Sequence, residues 1–149
     1  MPLKIQINED SNFNDTEITI NCKQMNAAIL KIIAMLRVLD LKITGIKDSQ
    51  TYILDISRIM YIDTVDKKTF FYTDNDVYET PLKLYELEEQ LEASEFFRAG
   101  KSTIINFNYI KALKPDIDGK ILVTMNNGEK LFVSRQYAIT IKKKLGMIK

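Results

Sequence analysis

The sequence predicts a mainly β fold with short helices, in the α+β class. Short runs rich in β-branched and aromatic residues alternate with turn dipeptides such as Asp-Gly and Asn-Gly. Apolar side chains recur at helical spacing in three segments. The chain has 149 residues, of which 46% are hydrophobic, which is enough for one ordinary globular domain with a short appendage.

The first 45 residues predict a strand-strand-helix appendage. Residues 3–7 (LKIQI) and 17–22 (EITINC) alternate apolar and polar side chains, which is the period of half-buried strands. Asn26 is placed to cap a helix in which apolar residues recur through about Asp40. This helix either packs within the chain, the commoner role of an apolar helix face, or forms a dimer interface. The appendage is therefore a candidate dimerisation element.

A break at Gly45 and the polar tetrapeptide KDSQ predicts that a second domain occupies residues 46–149. Four β-rich runs follow this break, and Pro81 ends the last of them. They are residues 51–54, 59–65, 69–73 and 77–80. Residues 82–94 then predict an amphipathic helix, whose glutamates most simply form a solvated face.

The last part of the chain predicts hairpins and a closing helix. The predicted strands are residues 110–113, 121–125 and 131–133. Asp118-Gly119 and Asn127-Gly128 between them favour the positive φ angles of tight turns. Ser134 is a candidate N-cap for a helix at residues 135–145, and Gly146 is placed to end it.

Charge is distributed unevenly along the chain. Residues 98–149 contain eleven Lys or Arg and three acids, a balance of +8, whereas residues 46–97 contain five bases and twelve acids, a balance of −7. The net charge of +1 therefore hides a polarised molecule. A localised positive face attracts polyanions even when the net charge is near zero, so the partner expected is a nucleic acid.

The composition argues against an enzyme. There is no histidine to act as a general base, no cysteine pair or histidine cluster for a metal, and no glycine-rich phosphate loop. No metal or cofactor is expected. Asp63 and Asp66 are interpreted as surface carboxylates, and the single Cys22 as a small buried hydrophobe. The chain lacks a long uncharged apolar run and a secretory signal, so a cytoplasmic protein is expected.

Three segments in order resemble the LytTR family of bacterial DNA-binding domains: YIDTVDKKTFFYTDNDVYETPLKLYELEEQL, FFRAGKSTIINFNYIKAL and GKILVTMNNGEKLFVSRQYAITIKKKLG. The second resembles the family block FxRxHxSxxVNxxxI, and the third its closing hairpin and VSR segment. The resemblance covers about residues 46–146. This chain departs from the family at Gly100-Lys101, where a histidine-containing pair is common.

The resemblance implies a β fold of several small antiparallel sheets. It also implies binding of double-stranded DNA with loops rather than a recognition helix, reaching successive major grooves of a repeated site. LytTR domains often follow a phosphorylatable receiver domain, which the residues before 46 are too few to form, so a stand-alone regulator is expected. Such a protein is expected to act as a homodimer on DNA and to take a regulatory membrane protein as a further partner. A protein-interaction adaptor that docks through the acidic helix, and a binder of structured RNA, are the alternatives from other classes.

Carried over by position, the resemblance assigns three DNA-contacting loops. The first holds Lys67 and Lys68, the second Lys101 and Ser102, and the third Arg135. Arginine can bind guanine O6 and N7 in a bidentate manner, and lysine can do so less rigidly. Ser102, Lys67 and Lys68 are expected to hold phosphates.

Several neighbouring residues have either a DNA-binding or a structural role on the sequence alone, namely Arg98, Thr103 and Gln136. Arg98 could pair with an acid of the preceding helix instead of DNA. Asn106 and Asn108 are expected to satisfy backbone groups or to cap a turn. The aromatic residues at 70–72, 96, 97, 107 and 109 alternate with aliphatic ones, which favours core packing over base stacking.

Overall fold

The computed structural model describes residues 3–39, 41–92 and 94–146. Its helices are α1 (Ala27–Leu39), α2 (Leu84–Gln90) and α3 (Arg135–Lys144). Its strands are β1 (Lys42–Lys47), β2 (Gln50–Asp55), β3 (Tyr61–Val65), β4 (Lys68–Tyr72), β5 (Val77–Thr80), β6 (Phe96–Arg98), β7 (Thr103–Asn106), β8 (Ile110–Pro115), β9 (Ile121–Met125) and β10 (Lys130–Val133). The predicted mainly β fold with short helices is confirmed.

The strands form two sheets. The larger has seven strands in the order β2-β1-β5-β4-β3-β7-β6, and the smaller has three in the order β10-β9-β8. Strand pairs in both sheets are antiparallel. Several strands are joined by tight turns, which explains the positive φ angles at Asp66 and Lys67 and at Asp118 and Gly119.

The central strands of the larger sheet are buried on both faces. Successive side chains of a strand point to opposite faces, so Tyr61 and Ile62 enter different cores. Ile62 packs in a core with Leu87 of α2, and Tyr61 packs in a second core with Val123 of β9 and Ile141 of α3. The molecule therefore has α2 on one face of the larger sheet and the smaller sheet with α3 on the other.

The acidic helix is shorter than predicted. Its start is set by the Glu86 side chain, which accepts a hydrogen bond from the Lys83 backbone nitrogen at 3.1 Å. The helix ends at Gln90, and Leu91 behind it has already left helical geometry. The predicted end at Ser94 was wrong because the apolar periodicity continues after the chain turns toward β6. Ala93 lies outside the described residues.

The closing helix agrees with its prediction. Ser134 occupies the N-cap position with extended backbone, although its side chain makes no capping hydrogen bond. Gly146 follows the helix with a φ of 74°, the left-handed conformation that glycine adopts without steric cost. None of the helices within the described ranges is long and apolar enough to cross a membrane.

The two predicted N-terminal strands were wrong. Residues 3–22 adopt irregular and turn conformations, their side chains are exposed, and no strand of the described chain pairs with them. Alternation makes a segment able to form a strand, but a strand also needs a partner. Cys22 is consequently exposed and not buried.

Helix α1 begins as predicted, because Asn26 Oδ1 accepts a hydrogen bond from the Ile29 nitrogen at 3.0 Å. Asp40, its predicted end, lies outside the described residues. Strand β1 was not predicted, and it pairs with both β2 and β5. The predicted boundary at residue 45 falls inside this strand, and the division of the chain into an appendage and a domain stays a prediction.

Candidate nucleic-acid interface

Strand register places the first two predicted loops side by side. Asp63 near the end of β3 pairs with Thr103 at the start of β7, so the β3–β4 turn and the β6–β7 turn emerge at the same end of the larger sheet. The Thr64 nitrogen donates a hydrogen bond to the Ser102 carbonyl at 2.9 Å and fixes this proximity. Lys67 and Lys101 therefore lie on adjacent turns.

The third predicted segment is tied to the second. The Ser134 nitrogen donates a hydrogen bond to the Ala99 carbonyl at 2.8 Å. Ala99 follows β6 and opens the turn that holds Lys101, while Arg135 is the first residue of α3. The structure thus brings together three segments that are separated by up to about seventy residues in the sequence.

A fourth segment lies beside these three. The sequence predicted it only as a hairpin turn. Val133 at the end of β10 pairs with Ile121 at the start of β9, so the β8–β9 turn lies beside Arg135. Gly119 in this turn has a φ of 77°, and a Cβ there would lie 2.7 Å from Arg135 Cγ. The missing side chain lets the Arg135 stem cross the turn, and the hairpin register could have predicted this neighbourhood.

These four segments are called here the basic end: residues 66–67, 99–102, 116–120 and 134–135. Its cations are Lys67, Lys101, Lys120 and Arg135, and all four are exposed. The same turns hold Asp66, Asp116 and Asp118, so the formal charge of the basic end is 4 − 3 = +1. Within the described ranges, none of the four makes a side-chain ion pair within 4 Å. Lys68, which adjoins the basic end, lies 3.8 Å from Glu79 through its ammonium group.

Arg98 supports the turn that presents Lys101. Its Nε donates to the Gly100 carbonyl at 2.6 Å and its Nη2 to the Lys101 carbonyl at 2.7 Å. Its Nη1 donates to Glu88 Oε1 of α2 at 3.2 Å, and the side chain is only 16% exposed. These contacts match the structural role considered for Arg98, the pairing with an acid of the preceding helix.

Thr103 and Gln136 differ in their surroundings. The Thr103 hydroxyl donates to Asp63 Oδ1 at 3.3 Å, whereas Gln136 is exposed beside Arg135. Asp63 is half-buried, and this burial raises the pKa of its carboxyl group, opposed in part by the Thr103 hydrogen bond. Asp66 is an exposed carboxylate as expected, but Asp63 lies partly beneath the basic end.

The opposite end of the sheets is more strongly charged, and its charge is negative. It consists of the turns at residues 48–49, 73–76 and 126–129, called here the acidic end. These turns hold Asp48, Asp74, Asp76 and Glu129 and no basic residue. Lys47 pairs with Asp76. The Tyr61 hydroxyl donates to Glu129 Oε1 at 2.6 Å, and burial together with this carboxylate raises the pKa of Tyr61.

Buried polar groups next to the acidic end serve the fold. Asn106 Nδ2 donates to the Ile59 carbonyl at 2.9 Å, and Asn106 Oδ1 accepts from the Asn108 nitrogen at 3.0 Å. The prediction that Asn106 satisfies backbone groups is confirmed. Phe71, Phe96 and Phe97 are buried, as the core interpretation of the aromatic runs required. Among the residues described, no cluster of His, Cys, Asp or Glu could hold a metal ion.

Comparison with known proteins shows which family the chain matches. Residues 49–146 match the LytTr DNA-binding domain. The chain belongs to the LytTR family. A solved LytTr DNA-binding domain from Bacillus cereus is 33% identical to this LytTR protein, with a TM-score of 0.66, and the match covers 70% of this chain and 96% of that one. The predicted family and fold are therefore confirmed.

Full-length relatives are also similar. Proteins of Staphylococcus aureus strains NCTC 8325 and MRSA252, each named an uncharacterised HTH-type transcriptional regulator, are 31% identical over 147 residues. The alignments cover 96% of this chain and 99% of each relative. In the described part of this LytTR chain, strands separate each helix from the next, so no two helices form a helix-turn-helix pair.

Proposed function

We propose that this LytTR protein is a transcriptional regulator that binds specific sequences of double-stranded DNA through its basic end. The observation that carries the proposal is the convergence of the three predicted contact loops, joined by the Thr64–Ser102 and Ala99–Ser134 hydrogen bonds. The names of the S. aureus relatives support a role in transcription. The loops are proposed to reach successive major grooves of a repeated site.

The proposed roles follow from side-chain chemistry. Arg135 reads a guanine, because its planar guanidinium can donate to O6 and N7 together and its stem is steered by the Gly119 turn. Lys101 contacts a base less rigidly, from a turn that Arg98 holds in place. Lys67, Lys68 and Ser102 bind phosphates and set the register of the protein on DNA.

A repeated site calls for more than one copy of the protein, so a homodimer on DNA is part of the proposal. The acidic end then faces away from the phosphates, which keeps repulsion small. The proposal also keeps the cytoplasmic location and the membrane protein partner that the sequence analysis expected.

The test is selection from a pool of random duplexes at physiological salt, with the wild type, Arg135→Ala and Lys130→Ala measured side by side. Lys130 is the matched control, because it is an exposed cation of β10 near the acidic end. The wild type and Lys130→Ala should enrich the same repeated motif. Arg135→Ala should lose about 1–3 kcal/mol on that motif and show a weaker preference for it.

Two outcomes would contradict the proposal in different ways. Equal losses by Arg135→Ala on specific and random duplexes would remove the base-reading role and leave a phosphate contact. If no motif is enriched, competition between DNA and RNA duplexes shows whether structured RNA is the partner. The absence of both interactions would favour an adaptor that uses α2. In that helix, Glu88 is already engaged by Arg98, which weighs against the adaptor.

A further inference from the structure

The N-terminal segment exposes several large apolar side chains. Seven large apolar side chains of this segment are exposed: Leu3, Ile5, Ile7, Phe13, Ile18, Ile20 and Met25. Ile18 is 62% exposed and Ile20 is 39% exposed. A concentration of exposed large apolar side chains in one segment points to an interaction site. Because residues 17–22 pair with no strand of the described chain, their backbone groups are also available.

The sequence of residues 17–23 favours the same segment of a second copy as the partner. Antiparallel pairing of residues 17–23 with the same residues of a second copy, centred on Ile20, places Ile20 opposite Ile20. The same register puts Ile18 opposite Cys22 on the apolar face and Thr19 opposite Asn21 on the polar face. Glu17 then lies opposite Lys23, so the charges at both ends of the ribbon are complementary.

The relatives have a counterpart of this segment. The family match begins only at residue 49, whereas the S. aureus relatives align over 96% of this chain. Most of the residues before 49 therefore have equivalents in them. Within that stretch, residues 17–22 are exposed and lie outside both sheets, which is the arrangement expected of an association element.

We infer that residues 17–23 of two copies pair as an antiparallel β-ribbon centred on Ile20 and thereby join two molecules. The ribbon supplies backbone partners to the alternating run and places Ile18, Ile20 and Cys22 of both copies side by side on one face, where opposed side chains contact each other across the two strands. It also pairs Glu17 with Lys23 twice. This inference specifies the surface of the proposed homodimer and rests on that part of the proposed function. It does not depend on DNA.

Cross-linking without DNA tests the register. In a Cys22→Ser background, which contains no other cysteine, Ile20→Cys should give a disulfide-linked dimer with oxidised glutathione, since directly opposed residues have Cα atoms about 4.5–5.5 Å apart. Ile18→Cys in that background is the matched control. Its two copies would be four strand positions apart, about 13 Å, and should stay monomeric under denaturing electrophoresis.

Restoring Cys22 provides a second check. Ile18→Cys with Cys22 retained should cross-link efficiently, because these two positions oppose each other across the ribbon. Failure of Ile20→Cys to cross-link, or equal cross-linking by Ile18→Cys in the Cys22→Ser background, would overturn the inference. A wild-type protein that sediments as a monomer at high concentration would overturn it as well.

Charge reversal tests the pairing without cysteine chemistry. Glu17→Lys and Lys23→Glu should each raise the dimer dissociation constant roughly tenfold, because each places like charges opposite each other twice. The double variant should restore the wild-type value in sedimentation equilibrium. Weaker dimerisation of both single variants that the double variant does not restore would contradict the register. DNA binding by the folded domain is measured separately, so a failed ribbon and a failed DNA proposal are distinguishable.

Discussion

The basic and acidic ends of the sheets differ in where their polar side chains are directed. Next to the acidic end, Tyr61 of β3 and Asn106 of β7 make hydrogen bonds with atoms of the protein, with donor-acceptor distances of 2.6 Å to Glu129 and 2.9 Å to the Ile59 carbonyl. At the basic end, Lys67, Lys101 and Arg135 are directed to solvent. Polar side chains beside the acidic end thus stabilise the fold, whereas the cations of the basic end remain available for a partner.

The comparison predicts that the two ends can be altered independently. Asn106→Ala should have the largest effect, a loss of about 1–3 kcal/mol in the free energy of unfolding, because the buried Ile59 carbonyl and Asn108 nitrogen lose their partner. Urea denaturation measures this loss. The exposed Asn108→Ala is the control and should cost much less. The DNA affinity of the folded Asn106→Ala protein should be unchanged. A large loss of DNA affinity would show that the two ends are not independent.

A pair of glycine substitutions, one at each end, tests whether the Gly119 turn positions Arg135. Gly119→Ala and Gly128→Ala both place a side chain at a positive φ, 77° and 89° respectively, and should each cost about 1 kcal/mol of stability. Only a Cβ at Gly119 meets Arg135, since nothing lies within 4 Å of one at Gly128. Gly119→Ala should therefore lower affinity for the preferred duplex about tenfold, within the range expected for a base contact.

Fluorescence anisotropy at matched folded fractions measures these two affinities. Gly128→Ala should bind like the wild type. The same affinity for both variants would show that the Arg135 stem need not cross the Gly119 turn.

Lys67→Ala should have a smaller effect that is uniform across sequences. A phosphate contact contributes about one unit to the slope of log affinity against log salt, so that slope should fall by about one on specific and random duplexes alike. Lys130→Ala provides the comparison at the other end and should leave the slope unchanged. A change of sequence preference in Lys67→Ala would contradict its assignment to a phosphate.

Asp63→Asn should have the smallest effect. Burial raises the pKa of Asp63, so the carboxyl group takes up its proton at a higher pH than an ordinary aspartate. Above that pKa its negative charge opposes phosphate binding, and the affinity of the wild type should rise as pH falls through it. Asp63→Asn should bind slightly more tightly at neutral pH and lose this part of the pH dependence, as titrations at several pH values would show. Asp74→Asn at the acidic end should change neither the affinity at neutral pH nor its pH dependence.

The sequence predicted single elements well where local pattern decides them. β5 and β9 have the predicted bounds, and Asn26 and Ser134 lie where the helices begin. β6 and β7 were missed because strands of three and four residues interrupted by the AGKS turn carry too little periodicity. The strands predicted at residues 3–7 and 17–22 were wrong because alternation does not supply a partner within the chain.

The arrangement of the candidate site could be predicted only in part. The family resemblance assigned DNA-contacting roles to residues 67, 101 and 135. Their proximity in space depends on strand register and on contacts between the two sheets. The support of Arg135 by Gly119 follows from hairpin register, which the sequence does not state directly. The raised pKa of Asp63 depends on burial beneath neighbouring turns, and no local pattern reveals it.

The two hydrogen bonds that join the loops have an evolutionary consequence. Thr64 to Ser102 and Ser134 to Ala99 are bonds between backbone atoms. Their formation does not depend on which side chains stand at positions 67, 101 and 135. Mutation can therefore exchange the groups presented to a partner one at a time while the loops keep their places. Descendants of one ancestral scaffold can thus diverge in what they bind without a change of fold.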